Sequence, residues 1–308
     1  MQRVFLDQNG RLRSGWRAAA FLISFLLIAS GLIFTSVVAL SQMDLGETAT
    51  GLLPISIPFV ISTVIALLLG WVCLRLFEGL PFKALGAAFT NGWARNLAAG
   101  VLLGGVAFGS AALIGVMSRG LELHANTLST PRAIISTLWT TFLIFLVGAA
   151  SEETLFRGYL MQTLARGPIK WFAIALTASL FALAHNANPD ISGLSIFNTL
   201  LAGVWFGIAY LKTRDLWFPF GLHFMWNWLQ GPIFGINVSG ISTFSPDPVL
   251  RATDHGPAWL TGGAYGLEGG IACTIAILIS IGLIHFLPIL KPTPEMLDLS
   301  EARLPSGS

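Results

Sequence analysis

The sequence predicts an all-α polytopic membrane protein of about eight transmembrane helices, with both termini cytoplasmic. Three observations predict it. First, 54% of the 308 residues are hydrophobic and only 10% are charged, against about 25% charged in a soluble domain, and the mean hydropathy is +0.74. Second, eight apolar runs approach the ~20 residues needed to cross a bilayer. Third, Lys and Arg fall very unevenly between the segments that join those runs.

The runs are Ala18–Leu40, Leu53–Leu76, Leu97–Val116, Ala133–Leu155, Trp171–His185, Ile196–Leu211, Phe218–Ile236 and Ile271–Leu290. The first exceeds the ~7–15 apolar residues of a signal peptide and ends in no small-x-small site, so it reads as an uncleaved span. With the N-terminus inside, the inner segments hold Arg3, Arg11, Arg13, Arg17, Arg75, Lys83, Arg95, Arg166, Lys170, Lys212, Arg214, Lys291 and Arg303. The outer segments hold Arg119, Arg132 and Arg251. This is the positive-inside pattern, and seven or nine spans would scramble it. The longest outer loop is Asn237–Gly270. Residues 1–290 read as one transmembrane domain with a catalytic core over about 130–290. Residues 291–308 read as a polar, disordered tail.

Composition also excludes. A net charge of +2 is too weak for nucleic-acid binding. Cys73 and Cys273 sit singly in apolar runs, with neither metal spacing nor a disulfide framework. Ten Trp suit interfacial belts. The Gly pairs at 104–105 and 262–263 suggest close packing or turns.

Chemistry enters at 150-ASEETLFRGYL-160, directly after an apolar run. Ionisable groups inside a membrane are costly and mark function by default. On a helix Glu153 and Arg157 stand at i, i+4 with the acid first, the better order for an ion pair. Glu152 points about 100° away. Arg157 thus ties up Glu153 and leaves Glu152 as a candidate general base. The plainer reading is a helix-end salt bridge with Glu152 solvated at the inner interface. In 179-SLFALAHNANP-189, Phe181 and His185 share a face. In 221-GLHFMWNWLQ-230, His223 and Asn227 do the same. Either histidine alone reads as an interhelical hydrogen-bonder. Together, one acid, two imidazoles and an amide from three spans suit a single shared water. G-x-S-x-G is absent and no cysteine has a neighbouring His, which leaves water as the nucleophile.

Glu152-Glu153-x-x-x-Arg157, Phe181-x-x-x-His185 and His223-x-x-x-Asn227 together resemble the CAAX prenyl protease and bacteriocin-processing (CPBP) family, also called Abi or type II CAAX endopeptidases. The stretch 261-TGGAYGLEGG-270 resembles a family segment before the last span. The likeness covers about residues 130–290, and the first three spans share only their apolar character. It implies an intramembrane endopeptidase acting on a membrane-associated peptide or protein. Glu152 would activate water, His185 would position it, and His223 with Asn227 would bind the oxyanion. Glu153, Arg157 and Phe181 would support them.

The resemblance is compatible with a metal-dependent or a metal-free enzyme. Glu152, His185 and His223 supply the three ligands a catalytic zinc wants. Yet H-E-x-x-H is absent, and a metal on Glu152 would consume the only free base. The metal-free form is therefore expected, with a divalent metal such as zinc as the alternative. Prenylated tails and leader peptides are both open as substrates. A non-catalytic scaffold or immunity protein is the competing reading, and a proton-relay transporter a third. The expected setting is a multi-pass protein of a bacterial cytoplasmic membrane, in contact with lipid.

Depth poses a difficulty. Glu152 lies ~30 Å past Arg132, near the inner face, while His185 lies ~22 Å above Lys170. They meet only if the fourth run starts outside the hydrocarbon or the fifth starts in the cytosol. That adjustment places the site in the inner half of the membrane, open to the cytosol. Glu268 is expected to cap the last span. His285 is read as interfacial, and His124 and His255 as solvated.

Overall fold

A computed structural model of the chain describes residues 2–6, 10–43, 47–166 and 170–301. Eight helices coincide with the eight apolar runs. They are α1 Ser14–Ser41, α2 Glu47–Cys73, α3 Trp93–Met117, α4 Pro131–Leu155, α5 Lys170–Ala184, α6 Gly193–Thr213, α7 Trp217–Trp228 and α8 Ile271–Phe286. Five helical stretches, in α1, α2, α3, α4 and α6, are long and apolar enough to cross a membrane. The helices α5 and α8 are apolar but shorter, and α7 is extended by a π-helical turn over Leu229–Ile233. Large apolar side chains point outward all along the bundle: Leu27, Leu102, Leu183 and Phe286 are each at least 70% exposed. A surface like that is solvated by lipid, not water. The chain is an all-α polytopic membrane protein.

Glycine sets the tightest helix pair. α3 and α7 make the most extensive contact in the bundle. A Cβ on Gly100 would lie 2.3 Å from the Phe218 carbonyl oxygen, and one on Gly104 2.5 Å from that of Leu222. Small residues four apart let membrane helices touch backbone to backbone. This contact fixes α7, which carries His223 and Asn227. At the opposite end from the long loop, buried Glu78 pairs with Arg17 of α1 and with Arg166, tying three segments together.

The fourth run does not end where its hydropathy ends. After Leu155 the helix passes through a π-helical turn, Phe156–Leu160, and resumes over Met161–Ala165. Gly158 breaks the helical path there, with ψ −130°. This removes the depth difficulty. Glu152 stands thirteen residues before Ala165, ~20 Å along the axis, and His185 stands ~22 Å above Lys170. Counted from Ala165 and from Lys170, the two are level.

Two further differences from expectation follow. An antiparallel ribbon, β1 Leu121–Ala125 with β2 Leu250–Asp254, pairs Leu121 with Asp254 and staples the long loop to the α3–α4 connection. The tail is not wholly without order: Pro294–Glu301 is helical, buries Met296 and pairs Glu295 with Lys83 at 2.8 Å. Arg303 and the rest of the tail lie outside the described residues. His124 and His255 are exposed, but both stand beside Glu122, at 3.5 and 3.4 Å.

Candidate active site

The three motifs converge on one cavity of about 350 Å³. Glu152, His185, His223 and Asn227 all line it. α4 supplies Glu152 one turn before the π-helical turn. His185 sits just past the end of α5, and His223 and Asn227 face the cavity from α7. π-helical turns recur at functional sites because they redirect side chains within a continuous helix.

The adjacent glutamates face different surroundings. The Glu153 side chain is 1% exposed and that of Glu152 is 24% exposed. Glu153 Oε1 accepts from Arg157 Nη1 at 3.2 Å and meets His223 Nδ1 at 2.9 Å. Arg157 is fully buried. Its Nη2 donates to the Gly203 carbonyl at 3.0 Å. Its guanidinium lies 4.8 Å from the Phe181 ring centre and 5.1 Å from that of Phe206, within cation–π range. The ion pair read from i, i+4 spacing is present, and it extends to His223, which spacing could not show.

Hydrogen bonds orient both imidazoles. His185 Nδ1 lies 2.8 Å from the Phe181 carbonyl. A carbonyl only accepts, so Nδ1 carries the hydrogen and Nε2 is turned to the cavity. Phe181 therefore acts through its main chain as well as its ring. His223 gives Nδ1–H to Glu153 and likewise presents Nε2, its ring stacked 4.7 Å from Phe206. Glu152 Oε2 stands 3.9 Å from His185 Nε2 and 3.8 Å from His223 Nε2. It has no hydrogen-bond partner among the described residues. These separations are too long for direct hydrogen bonds, yet each leaves room for one oxygen atom between Glu152 and the imidazole.

A tetrahedral zinc with ~2.1 Å bonds has ligand–ligand edges of about 3.4 Å. The two edges from Glu152 exceed this, and no set of three His, Cys, Asp or Glu among the described residues is arranged to hold a metal. The residues as placed do not fit a metal, and no step below is routed through one.

Glu268 is the residue that sequence reading misassigned. The N-cap of α8 is Gly270, which makes no side-chain cap. Glu268 instead lines the cavity, and its Oε2 accepts from Ser239 N at 2.6 Å and Ser239 Oγ at 2.8 Å. Burial raises its pKa from the ordinary carboxylate range, against the hydrogen bonds from Ser239 that lower it. The clue was its setting. In 266-GLEGG-270 the backbone turns sharply, Gly266 at φ +94°, and a Cβ there would lie 2.0 Å from the Asn237 carbonyl.

The cavity is lined by the last residues of α5, the first half of α6, the far half of α7, the start of α8 and loop residues 238–244. These parts lie toward the end of the bundle that carries loops 185–192 and 234–270.

Carboxylates and imidazoles around a cavity inside a helical bundle define the class, a polytopic membrane protein with a polar internal site. Residues 134–229 match a family model described as Type II CAAX prenyl endopeptidase Rce1-like. The matched stretch contains all three motifs and supports their resemblance to that family of proteases. No curated protein and no solved structure matches the chain.

Proposed function

We propose that the protein is an intramembrane endopeptidase that hydrolyses a peptide bond of a membrane-associated peptide or protein, with Glu152 as general base and no metal. The observation that carries this is the position of Glu152 Oε2, 3.8 and 3.9 Å from two imidazole nitrogens whose other nitrogens are already engaged.

Glu152 takes a proton from a water that His185 holds through Nε2. The hydroxide attacks the scissile carbonyl carbon. Asn227 Nδ2–H and, with both ring nitrogens protonated, His223 Nε2–H donate to the oxygen as it gains charge. A donor of this kind is worth ~10²–10³ in rate. Protonated Glu152 then delivers its proton to the amide nitrogen as the C–N bond breaks, leaving an amine and a carboxyl group. Glu153 and Arg157 do not touch substrate. They fix the His223 ring, as carboxylates behind catalytic imidazoles do.

The arginine and lysine asymmetry supports cytoplasmic termini, so that the end bearing loops 185–192 and 234–270 is extracytoplasmic. Substrate then reaches the site from lipid or from that side. The test compares purified wild type with Glu152→Gln on a library of membrane-associated peptides, read by mass spectrometry. Turnover should fall ~10²–10⁴-fold with peptide binding retained. Unchanged turnover in Glu152→Gln removes the proposal.

A further inference from the structure

We infer that Glu268 makes this cavity selective for a substrate bearing a basic side chain near the scissile bond, and unsuited to one anchored by its C-terminal carboxylate. The inference rests on the endopeptidase reading above and adds the charge of the substrate.

Among the described residues, no Lys or Arg lines the cavity. Its one adjoining guanidinium, Arg157, is buried behind Phe181 and committed to Glu153 and Gly203. A substrate carboxylate entering here would meet the carboxylates of Glu152 and Glu268 with no Lys or Arg to receive it. Burying an unpaired charge beside like charges is strongly unfavourable.

A cation meets the opposite situation. Glu268 lines the same wall as Asn198 and Asn188 and has no ion-pair partner among the described residues. Ser239 is bound to Oε2, which leaves Oε1 for a ligand. Its backbone is equally fixed: Asn198 Nδ2 donates to the carbonyls of Glu268 and Gly270, both at 2.8 Å, and Thr274 Oγ1 donates to Asn198 Oδ1. Ser239 adopts a left-handed conformation, φ +51°, unusual for a residue with a side chain. That turn aims both its N–H and its hydroxyl at Glu268. A cap or a solvated surface acid would need none of this support. Glu152 cannot serve as the cation's anchor, since the reaction needs it as a base.

The test uses a fluorescent neutral decapeptide with one lysine walked along it, each compared with its norleucine twin, in detergent-solubilised full-length protein. Binding and cleavage are both recorded. In wild type, lysine at one or two positions should tighten binding ~10–100-fold over norleucine, the range of a charged hydrogen bond. Glu268→Gln should abolish that difference, and Glu268→Lys should reverse it in favour of a glutamate-bearing peptide. Equal binding of lysine and norleucine peptides by wild type overturns the inference even if the Glu268 variants fail to fold. So does a lysine preference that survives Glu268→Gln. If no peptide is cleaved but the Glu268-dependent preference appears, the endopeptidase reading fails and the cation site stands. Cleavage without charge preference gives the reverse.

Discussion

Glu153 Oε1 meets His223 Nδ1 at 2.9 Å in the buried wall of the cavity. The same oxygen accepts from Arg157, so the ion pair and the imidazole form one unit. The unit decides which nitrogen of His223 faces Glu152. It also explains why a chain so poor in charge keeps two adjacent acids, since one orients the site and the other faces the cavity.

Replacing Glu153 by Gln tests that relationship. The amide can still accept from His223 or from Arg157, but it carries no charge to support an imidazolium. Turnover should fall ~10–100-fold, the usual cost of removing such a partner behind a functional histidine. KM should change little, because Glu153 does not line the cavity. A steady-state kcat and KM pair distinguishes this from general damage, which would degrade both.

Arg157 should be the more destructive site. Arg157→Met leaves Glu153 buried without its cation, a loss of about 3–5 kcal/mol. The double variant Glu153→Gln/Arg157→Met removes both charges and should regain much of that stability while staying poorly active. Melting temperatures of the two proteins in detergent measure this. A single variant as stable as wild type would mean the pair contributes nothing to the fold.

These two residues also show what the sequence makes legible. Local spacing reveals partners on one helix, so Glu153–Arg157, Phe181–His185 and His223–Asn227 were readable, as were all eight helices from their apolar runs. It does not reveal partners brought together by packing. The links from Glu153 to His223 and from Arg157 to Gly203 cross between helices. Glu268 was misread because a charge before an apolar run looks like a helix cap until the loop's path is known. The continuation of the fourth helix was not legible because polar residues after Leu155 looked like the end of a span. They are instead a buried continuation, and Arg157, Gln162 and Thr163 there are all inaccessible.

Chelation separates the two mechanisms that the motifs allow. With edges of 3.8 and 3.9 Å from Glu152 to the two imidazoles, activity should survive prolonged treatment with a strong chelator. Elemental analysis of the active protein should find less than one metal per chain. Activity lost to chelator and restored by zinc would instead assign Glu152, His185 and His223 as ligands.

Asp215, in the turn between α6 and α7, should give the fold a pH dependence. It is buried, accepts from Asn96 and also from Trp217 N at the start of α7. Burial pushes its pKa up from 3.8 to about 6, even though those hydrogen bonds pull it down. The folded chain therefore holds this proton more tightly than the unfolded chain. The stabilisation by the neutral form is complete below about pH 4 and is lost as pH rises through about 6, a difference of ~3 kcal/mol at most. From pH 7 to pH 5 the wild-type melting temperature should gain a contribution that Asp215→Asn lacks. Identical pH profiles for the two proteins would show that Asp215 titrates alike in both states.

Gly104 and Gly105 offer a matched pair on α3. A Cβ at Gly104 would lie 2.5 Å from the Leu222 carbonyl oxygen, a backbone atom that moves only if α7 moves. A Cβ at Gly105 would meet Leu229 and Met225 side-chain atoms at 3.7 Å, ordinary contact. Alanine improves helix propensity equally at both positions, so propensity cancels in the comparison. Gly104→Ala should push α7 outward, displace His223 and Asn227 from Glu152, and lower turnover at least ~10-fold, since small misplacements in a catalytic group are costly. Gly105→Ala should keep full activity and equal or better stability. Side-by-side melting and kinetic measurements decide it, because a backbone-tight α3–α7 contact cannot tolerate both substitutions equally.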